Sequence, residues 1–160
     1  MSTKLSGQIK REFRKLEYGA QKAIATELTD VMANNANPVL QALRNNTPVI
    51  KSGKNVTRRE NGRVAAIYEP GNLRKSMTIF KGTSTKFPRI YLGPQVGNQK
   101  EDDGYYAYFL VHGTSGKYGN IKPNNFPKRT ELLMKSYIKN VIGRQIVMTT
   151  EKEIDKQLNQ

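Results

Sequence analysis

Residues 6 to 31, SGQIKREFRKLEYGAQKAIATELTDV, contain the strongest structural signal in this sequence. Their apolar side chains recur every three or four positions, which is the period of an α-helix with one apolar side. The members of this apolar stripe are Ile9, Phe13, Leu16, Ala20, Ile24, Leu28 and Val31. The stripe predicts a helix of roughly 25 residues, and Pro38, which follows a polar run, should bend or end it.

Helical and β patterns both occur after this helix, so the predicted fold class is α+β. A second, shorter helix should stop near Asn45. Gly71 to Ser76 can form one helical turn, and Met77 to Lys81 with Phe87 to Gly93 predict a β-hairpin. In this hairpin Ile90 and Leu92 should be on the buried face of the small antiparallel sheet, opposite Arg89 and Tyr91.

The C-terminal part is predicted to be helical. Residues 105–112 fit either a strand or a helix, and a short central helix is favoured because Gly113 can cap its end. A long C-terminal helix should begin at Pro127. Thr150 and Glu153 have the spacing of a capping box, which predicts that the helix is capped again there.

The chain is long enough for one domain, residues 1–160, with a real core. Residues 50–70 have no sustained period and are predicted to be an inserted basic loop, with at most one extra strand at Val64 to Tyr68. Residues 150–160 are predicted to be a polar tail.

Basic residues dominate the charge. Lys and Arg number 27 against 13 Asp and Glu, a net charge of +14 that favours acidic partners such as nucleic acid. There is no cysteine, which is compatible with assembly in a reducing cytoplasm. The N-terminus lacks the apolar core of a signal peptide, and no apolar run is long enough to cross a bilayer, so no membrane partner is expected.

Catalytic and metal-binding patterns are weak. The sequence has one histidine, His112, with Ser115 nearby and the acidic trio Glu101, Asp102 and Asp103 upstream. No spacing matches a catalytic triad, a zinc site or a nucleotide-binding glycine loop. We therefore expect no enzyme, no cofactor and no metal. A nuclease that uses His112 with the acidic loop is the least favoured of the three functions considered.

Three segments occur in an order that resembles a known family: TPV at 47–49, GNLRKSM at 71–77 and YAYFLVHGTS at 106–115. The residues that carry the resemblance are Pro48, Gly71, Asn72, Leu73, Ser76, Tyr106, Ala107, Gly113 and Thr114. On these residues the chain resembles the tail-completion, or head-tail joining, proteins of long-tailed bacteriophages. It departs from that family by the insertion at 50–70 and by His112, where the family commonly has glutamate.

The resemblance implies a structural virion protein that forms a ring at the head-tail junction or at the top of the tail. A six-fold ring is favoured over a twelve-fold one. Its expected neighbours are the head connector or stopper protein and the tail tube or terminator protein, and its location is the virion, after assembly in the host bacterial cytoplasm.

Such a ring requires two different binding surfaces on each subunit. The expected interface residues are Ile79, Phe80, Ile90, Tyr91, Tyr105, Tyr106, Tyr108 and Phe109. The basic residues expected to face the lumen, in weak contact with genomic DNA, are Lys51, Lys54, Arg58, Arg59 and Arg63.

The main alternative is a sequence-nonspecific nucleic-acid-binding protein, which the isoelectric point near 10 suggests. Residues 44–89 carry eleven basic and two acidic side chains, a local balance of +9. The same charge would equally suit an acidic protein face, so the alternative stays open.

Overall fold

Helix α1 spans Ser2–Asn35 in the computed structural model of this chain, and is longer than the sequence predicts. The structure describes residues 2–49, 55–96, 104, 106–115 and 121–159. The 34 residues of α1 extend over about 51 Å. Ala36, almost fully buried, separates α1 from α2 (Asn37–Asn46), whose first turn contains Pro38. The predicted break at the proline is confirmed.

Two antiparallel strands, β1 (Val56–Glu60) and β2 (Arg63–Tyr68), form a hairpin of their own. The prediction of a loop at 50–70 is therefore wrong for most of this range. Asn61 and Gly62 both have positive φ, 50° and 78°, which is the backbone of a tight two-residue turn that matches the twist of the strands. The strand at Val64 to Tyr68 does form, but it pairs with β1 and not with the second sheet.

A one-turn helix leads into the predicted hairpin. Helix α3 (Asn72–Ser76) begins after Gly71, which has a φ of 87°, and runs directly into β3 (Met77–Lys81). Strand β3 pairs antiparallel with β4 (Ile90–Pro94). The hairpin prediction is confirmed, although β4 begins at Ile90 and not at Phe87.

Helices complete the fold. The prediction of a helix after residue 105 is confirmed by α4 (Tyr106–His112). Helix α5 (Phe126–Tyr137) is followed by a π-helical turn (Ile138–Ile142) and by α6 (Gly143–Leu158). The class is thus α+β, as predicted, with most of the chain helical.

The predicted new cap at Thr150 is wrong, because α6 passes through this residue without interruption. The Thr150 hydroxyl donates a hydrogen bond of 2.8 Å to the carbonyl oxygen of Ile146, one turn earlier in the same helix. A mid-helix threonine uses this bond in place of capping. Residues 150–158 are therefore the last turns of α6.

The core lies where α2, α3, β3 and α5 meet. Its buried side chains are Leu40, Leu43, Leu73, Met77 and Phe126. Ile79 and Leu92 of the sheet and three side chains of α4 pack around this cluster. Outside the core, α1 contacts α6 and the β3-β4 sheet, and Tyr137 donates a hydrogen bond to the carbonyl oxygen of Asn35. The chain after α5 therefore returns along α1.

Candidate functional site

The first two motif segments are joined by arginines. Arg74 donates a hydrogen bond of 3.1 Å to the carbonyl oxygen of Thr47, next to Pro48. Arg44 donates a bond of 2.8 Å to the carbonyl oxygen of Met77. Charged donors form stronger bonds than neutral ones, so these two contacts tie the end of α2 to α3 and to the start of β3.

The motif residues of α3 are buried. Asn72, Leu73 and Ser76 all lie in the interior, and the Ser76 hydroxyl donates to the carbonyl oxygen of Leu73 at 2.8 Å. The carbonyl oxygen of Ser76 in turn accepts from the N–H group of Gln95 at 2.7 Å. These residues direct the chain from α3 into the sheet.

The third motif segment is also architectural. Ala107 packs against the core, and Gly113 ends α4 with a φ of 77° and an N–H bond of 2.8 Å to the carbonyl oxygen of Phe109. Thr114 and Ile121 then exchange two backbone hydrogen bonds of 3.0 Å. The side chain of Tyr106 is not described. The described motif residues therefore contribute to the fold.

The expected interface residues divide between the two faces of the β3-β4 sheet. Ile79 packs against the core and Ile90, on the same face, is half-buried. Phe80 and Tyr91 are a cross-strand pair on the opposite face, and both are exposed. The Arg89 guanidinium lies 5.5 Å from the centre of the Tyr91 ring, a cation-π contact. Of the four sheet residues expected at a subunit interface, Phe80 and Tyr91 are therefore the two whose side chains are exposed.

The aromatic residues of α4 are only partly accessible. Tyr105 lies outside the described residues, and Phe109 is half-buried, with its ring edge-on to Tyr108. Tyr108 is exposed and its ring lies 4.5 Å from the His112 ring. On α4, the exposed aromatic surface of the described side chains is the Tyr108–His112 pair.

The basic hairpin presents two described arginines. Arg59 and Arg63 are both exposed. Arg59 is paired with Val64 and Arg63 with Glu60 in the ladder, so the two arginines lie on opposite faces of the hairpin. The side chain of Arg58 is not described, and Lys51 and Lys54 lie outside the described residues. Strands β1 and β2 mainly contact one another, so this hairpin projects from the protein.

Catalytic and metal-binding groups do not assemble within the part of the chain that the structure describes. No group of three or more His, Cys, Asp or Glu side chains in this part could hold a metal ion. The acidic trio Glu101, Asp102 and Asp103 lies outside it. No helix of this part combines the length and the apolar content needed to cross a bilayer.

The apolar period of α1 did not show which part of the stripe its own subunit covers, and its first half is uncovered. Phe13 and Leu16 are 68% and 69% exposed, and every described side chain from residue 10 to 19 is exposed. Further exposed apolar side chains lie on the C-terminal helices: Leu132, Leu133, Val147, Met148 and Ile154. Such surfaces typically mark interaction sites.

Comparisons with protein-family models, with curated proteins and with solved structures found no match to this chain.

Proposed function

We propose that this chain is a structural protein of a bacteriophage virion. In this proposal it forms a ring at the head-tail junction or at the top of the tail, and it joins the head connector to the tail. The single observation that carries the proposal is the uncovered apolar surface on two separate parts of the protein, α1 and the C-terminal helices. Two different surfaces of one subunit can bind each other in a closed ring.

The resemblance of the motif segments supports the phage role. The first two segments meet at the junction of α2, α3 and the sheet, where the two arginine bonds hold them together, and the third packs against the core through Ala107. A motif with an architectural task is expected to accompany a shared fold rather than a shared reaction. The proposal therefore includes no enzyme activity and no cofactor.

The ring makes a direct prediction about mass. We expect purified protein to elute as one species of six times 18.1 kDa, measured by size-exclusion chromatography with light scattering. Because salt does not screen the apolar part of the contact, the same hexamer should be present at low and high salt when the protein concentration is well above the assembly midpoint, with or without DNA. A protein that remains monomeric at every concentration, including in the presence of head connector and tail components, would contradict the proposal.

Nucleic-acid binding is the second candidate function, favoured by the exposed arginines of the projecting β1-β2 hairpin. We expect the triple variant Arg58→Glu, Arg59→Glu and Arg63→Glu to weaken binding to a random duplex, measured by fluorescence anisotropy. Each lost phosphate contact lowers the slope of log affinity against log salt by about 0.9, so the slope should fall by roughly 2 to 3.

The matched control for this experiment reverses three exposed charges on α1: Arg11→Glu, Lys15→Glu and Lys22→Glu. It changes the net charge equally but leaves the hairpin intact. Equal losses for both variants would show a general charge effect, and the hairpin would then have no special role in binding DNA.

A further inference from the structure

The apolar side of α1 continues beyond the part that its own subunit covers. Phe13, Ala20, Ile24 and Leu28 are spaced by seven, four and four residues, so they share one side of the helix. Ile24 and Leu28 are half-buried, whereas Phe13 is largely exposed. The buried residues Ala25 and Thr29 are directed differently, and the neighbouring Asp30 forms a 2.6 Å ion pair with Lys81 of β3.

A neighbouring loop turns this side of the helix into a groove. Thr85, Lys86 and Pro88, between β3 and β4, lie opposite Ile24 and Leu28 across an open depression. We call this depression, with Phe13 and Leu16 beyond its end, the α1 groove. From Phe13 to Leu28 it is about 23 Å long, which is enough for four turns of a second helix.

Helix α6 also has an uncovered side with apolar residues. Val147 and Ile154 are seven residues apart on one side and are 55% and 48% exposed. Glu151 and Asp155, both exposed, lie beside them. We call these four residues the α6 flank. The flank extends over about 12 Å of α6, roughly half the length of the α1 groove.

Charge on the two surfaces is complementary. Residues 10–22 of α1 carry five basic and two acidic side chains, in a helix whose described side chains there are nearly all exposed. Lys10 and Arg14 flank Phe13 and form no ion pair with a described side chain, and the same holds for Glu151 and Asp155 on α6. Both pairs are spaced by four residues, so each forms one row along its helix.

We propose that the α1 groove of one subunit receives the α6 flank of a second copy of this chain. The inference rests on the proposed ring and names the two faces that close it. A groove and a flank at different places on one subunit make a head-to-tail contact, which is the type that forms rings. Phe13 is the aromatic anchor, and Lys10 and Arg14 set the register against Glu151 and Asp155.

A charge exchange tests the pairing. The variant Lys10→Glu with Arg14→Glu, and separately Glu151→Lys with Asp155→Lys, should each raise the half-assembly concentration about tenfold, followed by light scattering over a dilution series. The four changes together should return it to within about threefold of wild type. Phe13→Ala should raise it by about thirtyfold.

Arg11→Glu with Lys15→Glu is the matched control, because these residues have the same spacing and lie on the other side of α1. It should assemble like wild type, and circular dichroism should show that every variant keeps its helices. If wild type assembles but the reversals and Phe13→Ala have no effect, the groove is not the interface, although the ring survives. If the variant with all four charge changes does not regain assembly, α6 is not the helix that occupies the α1 groove. Only a wild type that never assembles would overturn the proposed function itself.

Discussion

Replacing Phe126 with alanine should destabilise the protein by about 3–5 kcal/mol, the largest effect expected of a single core truncation. Phe126 is 2% exposed and contributes the aromatic ring of the core cluster that joins α2, α3, β3 and α5. Its removal leaves a cavity among Leu40, Leu43 and Met77 that the backbone of four elements cannot close. Most domains have only about 5–15 kcal/mol of stability in total.

Urea denaturation at one fixed protein concentration, followed by circular dichroism, measures this loss of unfolding free energy. The control is Tyr18→Ala, which truncates an aromatic ring that is 58% exposed and should change stability by less than about 0.5 kcal/mol. Similar midpoints for the two variants would contradict the position of Phe126 at the centre of the core.

Replacing Gly113 with alanine should cost more than about 2 kcal/mol. Gly113 has a φ of 77°, where a side chain is strained, and an added Cβ would lie 2.7 Å from the carbonyl oxygen of Ile121 and 2.9 Å from Cδ of Pro123. The approach to Ile121 is fixed by the paired backbone bonds between that residue and Thr114. The strand-like contact behind α4 must therefore shift or break.

The matched control is Gly19→Ala. Gly19 is in the exposed half of α1, and nothing lies within 4 Å of an added Cβ. Alanine there should stabilise the helix by about 0.5–1 kcal/mol. Opposite signs for the two glycine substitutions in thermal or urea unfolding are expected, and a neutral Gly113→Ala would show that α4 does not end in a left-handed residue.

The sequence predicted those elements whose pattern is local. Three patterns depend only on residues close together in the chain: the stripe of α1, the β-prone runs around Thr78 and Tyr91, and the glycine that ends α4. Their confirmation follows from the period of the apolar residues and from the backbone freedom of glycine.

The first hairpin was missed although its signal is present. Asn61-Gly62 is the residue pair most typical of a two-residue hairpin turn, but β1 reads Val-Thr-Arg-Arg-Glu, with one apolar residue. Apolar alternation marks a strand with one buried face, and a projecting hairpin has no core to make that alternation necessary. The turn residues were the better guide here.

The spacing of apolar residues along a helix could not show which other segment covers its apolar side. The same stripe contains the half-buried Leu28 and the largely exposed Phe13, because the β3-β4 loop and the returning C-terminal helix reach only part of α1. That difference depends on contacts between segments far apart in the chain. For the same reason the candidate interface on α1 emerged only from the fold.

The π-helical turn at Ile138–Ile142 determines which way α6 faces. Its closing bond runs from the N–H group of Gly143 to the carbonyl oxygen of Ile138, five residues back, so the turn holds one residue more than an α-helical turn. Because the turn already holds one extra residue, deleting one residue of it would leave an α-helical turn and hardly change the direction of the residues after it, whereas a deletion in α5 would rotate them by about 100°. Val147 and Ile154 would thus keep their direction after the first deletion and rotate together after the second.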